Sequence, residues 1–250
     1  MAKVKVKKLK KQNAKLILPT EKTVTASSIL EYITLFFGPP GVGKTTFVDA
    51  LANKVFFIST DRGTRYLNTL RAECTDWRGL QKIIKALKEQ IQKTKYDLVC
   101  IDHIDDICAM CEEHVCNELG IGDLTDAGYG KGWKAYKKSI WSTIQEILSL
   151  DVGVVMIAHE TIKTIRTKVI ETERTMPDLS KSGWKVIIPK CDIVGYCGYK
   201  VVKKGGVKKE IRILETIPRE DLYVKDRTTR KTPDAYELLD GKQFVKTFKK

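Results

Sequence analysis

The tightest constraint on this chain is the run Gly38-Pro39-Pro40-Gly41-Val42-Gly43-Lys44-Thr45-Thr46. An apolar, β-prone segment (Ile33 to Phe37) precedes it, and Phe-Val-Asp-Ala-Leu51 follows. The order predicts a buried strand, a glycine loop and a helix from Lys44 onward, which is the full pattern of a phosphate-binding P-loop. All nine residues from Gly38 to Thr46 are therefore candidate nucleotide contacts. Backbone N–H groups at the start of a helix lack intrahelical partners and lie at the positive end of its dipole, so they can cradle the α- and β-phosphates. Lys44 would reach the β/γ-phosphates, and the Thr45 hydroxyl would hold a Mg²⁺ that keeps most of its waters. A glycine-rich turn before an ordinary helix is the bland alternative, and the Lys-Thr pair in this context argues against it.

A P-loop needs a sheet to stand on, and the expected fold class is α/β, with a mostly parallel central sheet flanked by helices. Val55 to Ser59 reads as a second buried strand ending at Thr60-Asp61-Arg62-Gly63, with a helical stretch expected from Thr64 to about Arg71. Ligands of open α/β sheets bind at the carboxyl ends of strands. Asp61 is thus a candidate to orient an attacking water, against simple helix capping. Trp77 to Lys93 carries Leu80, Ile83, Ile84, Leu87 and Ile91 at helical spacing and reads as an amphipathic crossover helix. Tyr96 to Asp102 is an apolar strand closing on an acid, the Walker B pattern, and Asp102 would hold the Mg²⁺ through a water. Val152 to Ala158 is another buried strand, ending at His159-Glu160. His159 can sense a γ-phosphate or be a satisfied structural histidine.

Between these strands, Ile104 to Leu119 reads as a helix containing Cys108, Cys111, His114 and Cys116. Ile104, Cys108, Cys111 and Val115 share one stripe while Cys116 turns away, so buried thiols are expected rather than a zinc site. Gly120 to Gly132 reads as a flexible, functional loop, and Trp133 to Leu150 as a long helix. Thr161 to Gly183 reads as a long mobile loop bearing Lys163, Arg166, Lys168, Arg174 and Lys181, with Lys185 just beyond; its acids Glu171, Glu173 and Asp178 temper the charge. Such a loop after a phosphate-sensing strand could couple nucleotide state to a polyanion, or be an ordinary solvated loop.

The domain reading is a basic flexible arm over 1–15, a lead-in over 16–30, one core over 31–240 and a basic tail over 241–250. The core's last part, about 190–230, is β-rich, with strands expected over Asp192 to Lys203 and Val207 to Glu215 around a Lys-Lys-Gly-Gly turn. Pro233 to Leu239 reads as a short helical turn. The net charge is +14, of which seven lysines in the first fifteen residues supply half. A polyanion partner fits that charge, although lysine surplus also serves solubility. With no apolar run long enough to span a bilayer and seven scattered cysteines, the expectation is a cytoplasmic protein with reduced thiols and no membrane partner.

Taken together, the ordered motifs resemble a RecA-like P-loop ATPase core. They are most similar to the compact phage-borne proteins of the single-strand annealing and recombination (Sak-type) group, over roughly Leu30 to Leu239. Gly130-Lys131-Gly132-Trp133 and Met176-Pro-Asp-Leu also look like features of that group. The resemblance implies ATP and Mg²⁺ as cofactors, single-stranded DNA as partner, and a homo-oligomeric ring or filament, with a single-strand binding protein as a further partner. If phage-encoded, its location is the cytoplasm of a bacterial host. It also implies roles for a late Lys-x-Arg, here Lys225 and Arg227, which reaches across a subunit boundary to a neighbour's γ-phosphate; the alternative for Arg227 is a surface arginine on an edge strand. Two positions depart from the group: Asp61 stands where Glu is usual, and His159 where RecA has Gln. Rival readings are a helicase- or loader-type motor, a small-molecule kinase, and a regulatory nucleotide-binding module with little turnover.

Overall fold

The computed structural model describes residues 26, 28–166, 171–204, 206–228, 235–237 and 241–247. The basic arm at 1–15, most of the lead-in, Lys168 and the end of the tail lie outside the described residues. Two features of β1 (Ile33–Phe37) set the architecture: it is apolar except for Thr34, and it pairs in parallel on both sides. Leu35 and Phe37 point to one face of the sheet and Phe36 to the other, so helices must cover both.

The chain continues through α1 (Lys44–Asp49) and β2 (Val55–Ser59) to β3 (Leu70–Glu73). Next come α2 (Trp77–Thr94), β4 (Leu98–Asp102), α3 (Ile104–Leu119), α4 (Lys131–Leu148) and β5 (Gly153–Ala158). Then follow β6 (Glu160–Arg166), β7 (Glu171–Pro177), α5 (Lys181–Ile187), β8 (Ile193–Lys204) and β9 (Val207–Glu215). The last elements are β10 (Lys225–Asp226), β11 (Ala235–Glu237) and α6 (Gly241–Thr247). The main sheet has the order β11-β9-β8-β1-β5-β4-β2-β3, with β10 paired to β8. From β8 through β3 every pairing is parallel; β9, β10 and β11 are antiparallel additions. The expected α/β fold with a strand-rich carboxyl-terminal part is therefore present.

One face of the sheet is covered by α2, α3, α4 and α5, the other by α1 and α6. Helix α2 forms because its apolar stripe, Leu80, Ile84, Leu87 and Ile91, is buried on one side. Asp76 caps its start by accepting from Gly79 N (2.8 Å), and Lys95 ends it in the left-handed conformation. On the other face, Phe47 of α1 packs edge-on against Phe36 and Phe244, at 5.3 and 5.4 Å between ring centres. Burying each such ring contributes about 2–3 kcal/mol. Part of the expected basic tail is thus α6, anchored by Phe244.

Three expectations are corrected. Thr161 to Gly183 is no loop: β6 and β7 form an antiparallel hairpin in register from Glu160–Pro177 to Arg166–Glu171, followed by α5. Its alternation of Thr, Ile and charged residues is a strand pattern exposed on both faces, which reads as polar loop when burial is the guide. The hairpin is latched at its base, where Thr175 N donates to Asp221 O (2.8 Å), Tyr223 N to Thr175 O (2.9 Å) and Arg174 Nε to Glu220 O (2.7 Å). Thr64 to Arg71 is a 3-10 turn, Gly63–Tyr66, leading into β3, because pairing with β2 outweighs local helix propensity. Within Pro233 to Leu239, the described residues 235–237 pair with β9 as a strand instead of forming a helical turn.

All seven cysteines are free and buried. Cys108 and Cys111 pack between α3 and α4 against Tyr136, and burial pushes the Cys108 thiol up to about 12. Burial pushes Cys74 to about 11, and Cys191 and Cys197 to about 12. Thiolate is the reactive form, so at neutral pH a chromogenic disulfide reagent should label none of the seven quickly in the folded chain and all of them in guanidinium. Rapid labelling of the native protein would contradict this packing.

Candidate active site

The P-loop leaves β1 pressed against β8. A Cβ on Gly38, at φ 152°, would lie 1.9 Å from Cys197 O, so only glycine fits there. From Gly43 the chain enters α1, and Lys44 folds back over the loop. Its ammonium donates to Gly38 O (2.8 Å) and Pro39 O (2.9 Å), and the residue is only 5% exposed. Burial lowers the Lys44 pKa, opposed by nearby acids that include Asp102.

Asp102 ends β4, two strands from β1, since β5 lies between them. Thr45 Oγ1 nevertheless reaches it and donates to Asp102 Oδ2 (2.9 Å). Asp102 is fully buried, and its Oδ1 has no hydrogen-bond partner. His103 Nε2 lies 3.1 Å from Oδ1 but outside hydrogen-bond geometry. An orphaned carboxylate oxygen beside a threonine hydroxyl is a donor set suited to a hard divalent cation with water ligands, so Thr45 and Asp102 fit Mg²⁺.

Around this pair lies a cleft of about 330 Å³, lined by P-loop residues with Asp61, Tyr66, His103, His159 and Arg212. Asp61 is exposed, and its Oδ1 accepts from Gly63 N (2.9 Å), so it both faces the cleft and caps its own turn. His159 packs against His103 with the rings tilted by 30°, 4.1 Å between ring centres. Asp105 holds His159 twice, through Nδ1 (2.7 Å) and the backbone N–H (3.2 Å), which leaves Nε2 as the nitrogen free to meet a phosphate or a water. Thr60 fixes the other side by donating to Asp106 Oδ2 (2.6 Å) and accepting from His103 N (2.8 Å). A larger hollow, about 540 Å³, opens among residues 30–33, 96–97 and 148–154. It has three acids and no Lys or Arg, which disfavours a polyphosphate there.

The fold thus gathers the P-loop, Asp61, Asp102 and His159 but not the late Lys-x-Arg. β10 pairs with Ile193 and Val194, level with Thr34 and Leu35 near the start of β1, so Lys225 and Arg227 lie toward the amino edge, away from the P-loop. Lys225 Nζ donates to Ile188 O (3.0 Å) and Cys191 O just past α5, and burial lowers its pKa. Arg227 is exposed, 3.5 Å from Pro189 O. Among the basic positions after His159, Lys163 donates to Leu179 O (3.0 Å) and Arg166 pairs with Glu171 (2.9 Å). Arg174 is half-buried, and Lys181 and Lys185 are exposed on α5. Sequence reasoning missed His103, Asp105, Asp106 and Arg212. The first three follow directly on the Walker B acid and were findable as polar residues at a ligand edge; Arg212 depends on the β8–β9 register and had no local signal.

Burial holds the Asp102 carboxyl above the ordinary carboxylate range, with His103 the largest opposing influence. A raised folded pKa costs stability progressively as pH climbs from the unfolded pKa to the folded one; the penalty is complete above the folded pKa and vanishes below the unfolded pKa, where both states are protonated. Asp102→Asn should therefore stabilise the nucleotide-free protein by on the order of 1 kcal/mol at neutral pH. That gain should disappear below pH ~4, while Mg²⁺-dependent hydrolysis is lost. Identical urea midpoints for the two proteins at neutral pH would contradict it.

A family profile described as an AAA domain matches residues 31–228, from before β1 to just past β10. No curated protein matches the chain. The match covers most of the sequence, including every cleft residue named above, and with the P-loop and Walker B geometry it follows that the chain belongs to the AAA-domain family of P-loop, nucleotide-binding ATPases.

Proposed function

We propose that the chain is an ATP- and Mg²⁺-dependent ATPase that binds single-stranded DNA as a ring or filament and promotes annealing or strand exchange. The observation that carries this reading is the β6–β7 hairpin: β5 ends at Ala158, His159 faces the nucleotide cleft, and β6 begins at the next residue, Glu160. A ribbon that grows directly from a phosphate-facing strand end, with Lys163, Arg166 and Arg174 set among Glu160, Glu171 and Glu173, can report nucleotide state to a polyanion held by its basic side chains. The P-loop N–H groups and Lys44 would bind the phosphates, Thr45 and Asp102 would hold Mg²⁺, and Asp61 would orient water. The metal would supply charge neutralisation on the phosphate oxygens. Arg227, remote from its own P-loop, is assigned to a neighbouring subunit's γ-phosphate. A cation at that position contributes on the order of 10³ to 10⁵ in rate when well placed.

Affinity for an oligothymidine should fall with salt, and charge reversal at Lys163 and Arg166 should weaken it and flatten the salt slope by about 0.7 for each phosphate no longer neutralised. Salt-independent affinity, or indifference to both reversals, would sink the DNA part. A second reading, a nucleotide-binding module with little turnover, is favoured by Asp61 bonding to its own turn. Hydrolysis in the wild type that Asp61→Asn and Arg227→Ala each reduce at least tenfold, with nucleotide affinity retained, supports the ATPase; negligible wild-type turnover supports the module.

A further inference from the structure

The cleft contains a cation that no sequence motif supplies. β9 pairs with β8, and β8 with β1; Tyr196 is level with Phe37, the last residue before the P-loop. Arg212 is paired with Tyr199, three residues further on, so the register carries it past the end of β1 and over the loop. There its guanidinium lies against Gly43: a Cβ on that residue would be 2.9 Å from Arg212 Nη1. Gly43 is at φ 97°, so glycine serves both the turn and the close approach.

The Arg212 side chain forms no ion pair or hydrogen bond among the described residues, unlike those of Arg65, Arg166 and Arg219, each paired with a carboxylate. Lys44 lines the same cleft, so two like charges converge on it. An unpaired guanidinium fork at a backbone cradle has the donors and geometry to take phosphate oxygens side-on. Lys44, Asp102 and His159 serve the β/γ end and the metal; Gly43 belongs to the stretch whose N–H groups cradle the α- and β-phosphates. We propose that Arg212 is a nucleotide ligand acting within its own subunit, donating to the α/β-diphosphate. The inference rests on the P-loop reading and adds a contact to it.

The test is equilibrium binding of fluorescent ADP and ATP to the full chain, with Arg212→Ala, Arg212→Met (which keeps the aliphatic stem) and Arg212→Lys. Removing a charge-assisted hydrogen bond predicts about 10- to 100-fold weaker binding for both Ala and Met, equally for ADP and ATP. Arg212→Lys should recover part of the loss. Thermal midpoints without nucleotide should be unchanged, since the side chain is exposed and unbonded. Affinities within twofold of wild type, or a loss confined to ATP, would overturn the assignment while leaving the P-loop reading intact. A wild type that binds neither nucleotide would overturn both.

Discussion

The bond from Thr45 to Asp102 is the constraint on which the site depends. It joins the first turn of α1 to the end of β4 across the intervening β5, so the loop, the helix and three strands must hold their register for it to form. The residues of β1, β5 and β4 facing the helices are nearly all fully buried, and that close packing keeps the strand ends level. Gly38 against Cys197 fixes the loop from the opposite side. Core packing and site geometry are therefore one problem in this fold: a slip of one residue in β4 would turn Asp102 away from the threonine.

The two charged groups at the centre are each disfavoured by burial, in opposite senses. Lys44 has its ammonium form weakened, and Asp102 its carboxylate form. A phosphate favours the first and a divalent cation favours the second, so nucleotide and metal each improve the environment the other enters. Neither residue needs the other as a salt-bridge partner: Lys44 bonds to loop carbonyls and Asp102 to a hydroxyl.

The sequence made most of the parallel core legible because continuous apolar runs, a glycine loop and strand-end acids are local signals. Asp61 and His159 follow from the rule that ligands meet the carboxyl edge and Asp102 from the Walker B pattern, and all three line or flank the cleft. What stayed hidden depends on partners distant in sequence. β3 is a strand because β2 offers it an edge, and Arg212 reaches the P-loop because two pairings add up. The β6–β7 hairpin is obscured by its exposure, since its alternation of Thr, Ile and charged residues has no buried apolar face to mark it as a strand. Lys225 matched a pattern, but its neighbours in space, the carbonyls of Ile188 and Cys191, are visible only in the fold.

The latch at the base of that hairpin has a mechanical consequence. Thr175 and Arg174 bind the backbone of residues 220–223, which run straight into β10, and Lys225 on β10 grips the carbonyls that follow α5. The hairpin therefore cannot swing about His159 as a free flap. Any displacement of its two strands is passed through these bonds to β10 and so to Arg227, which follows it at the amino edge of the sheet.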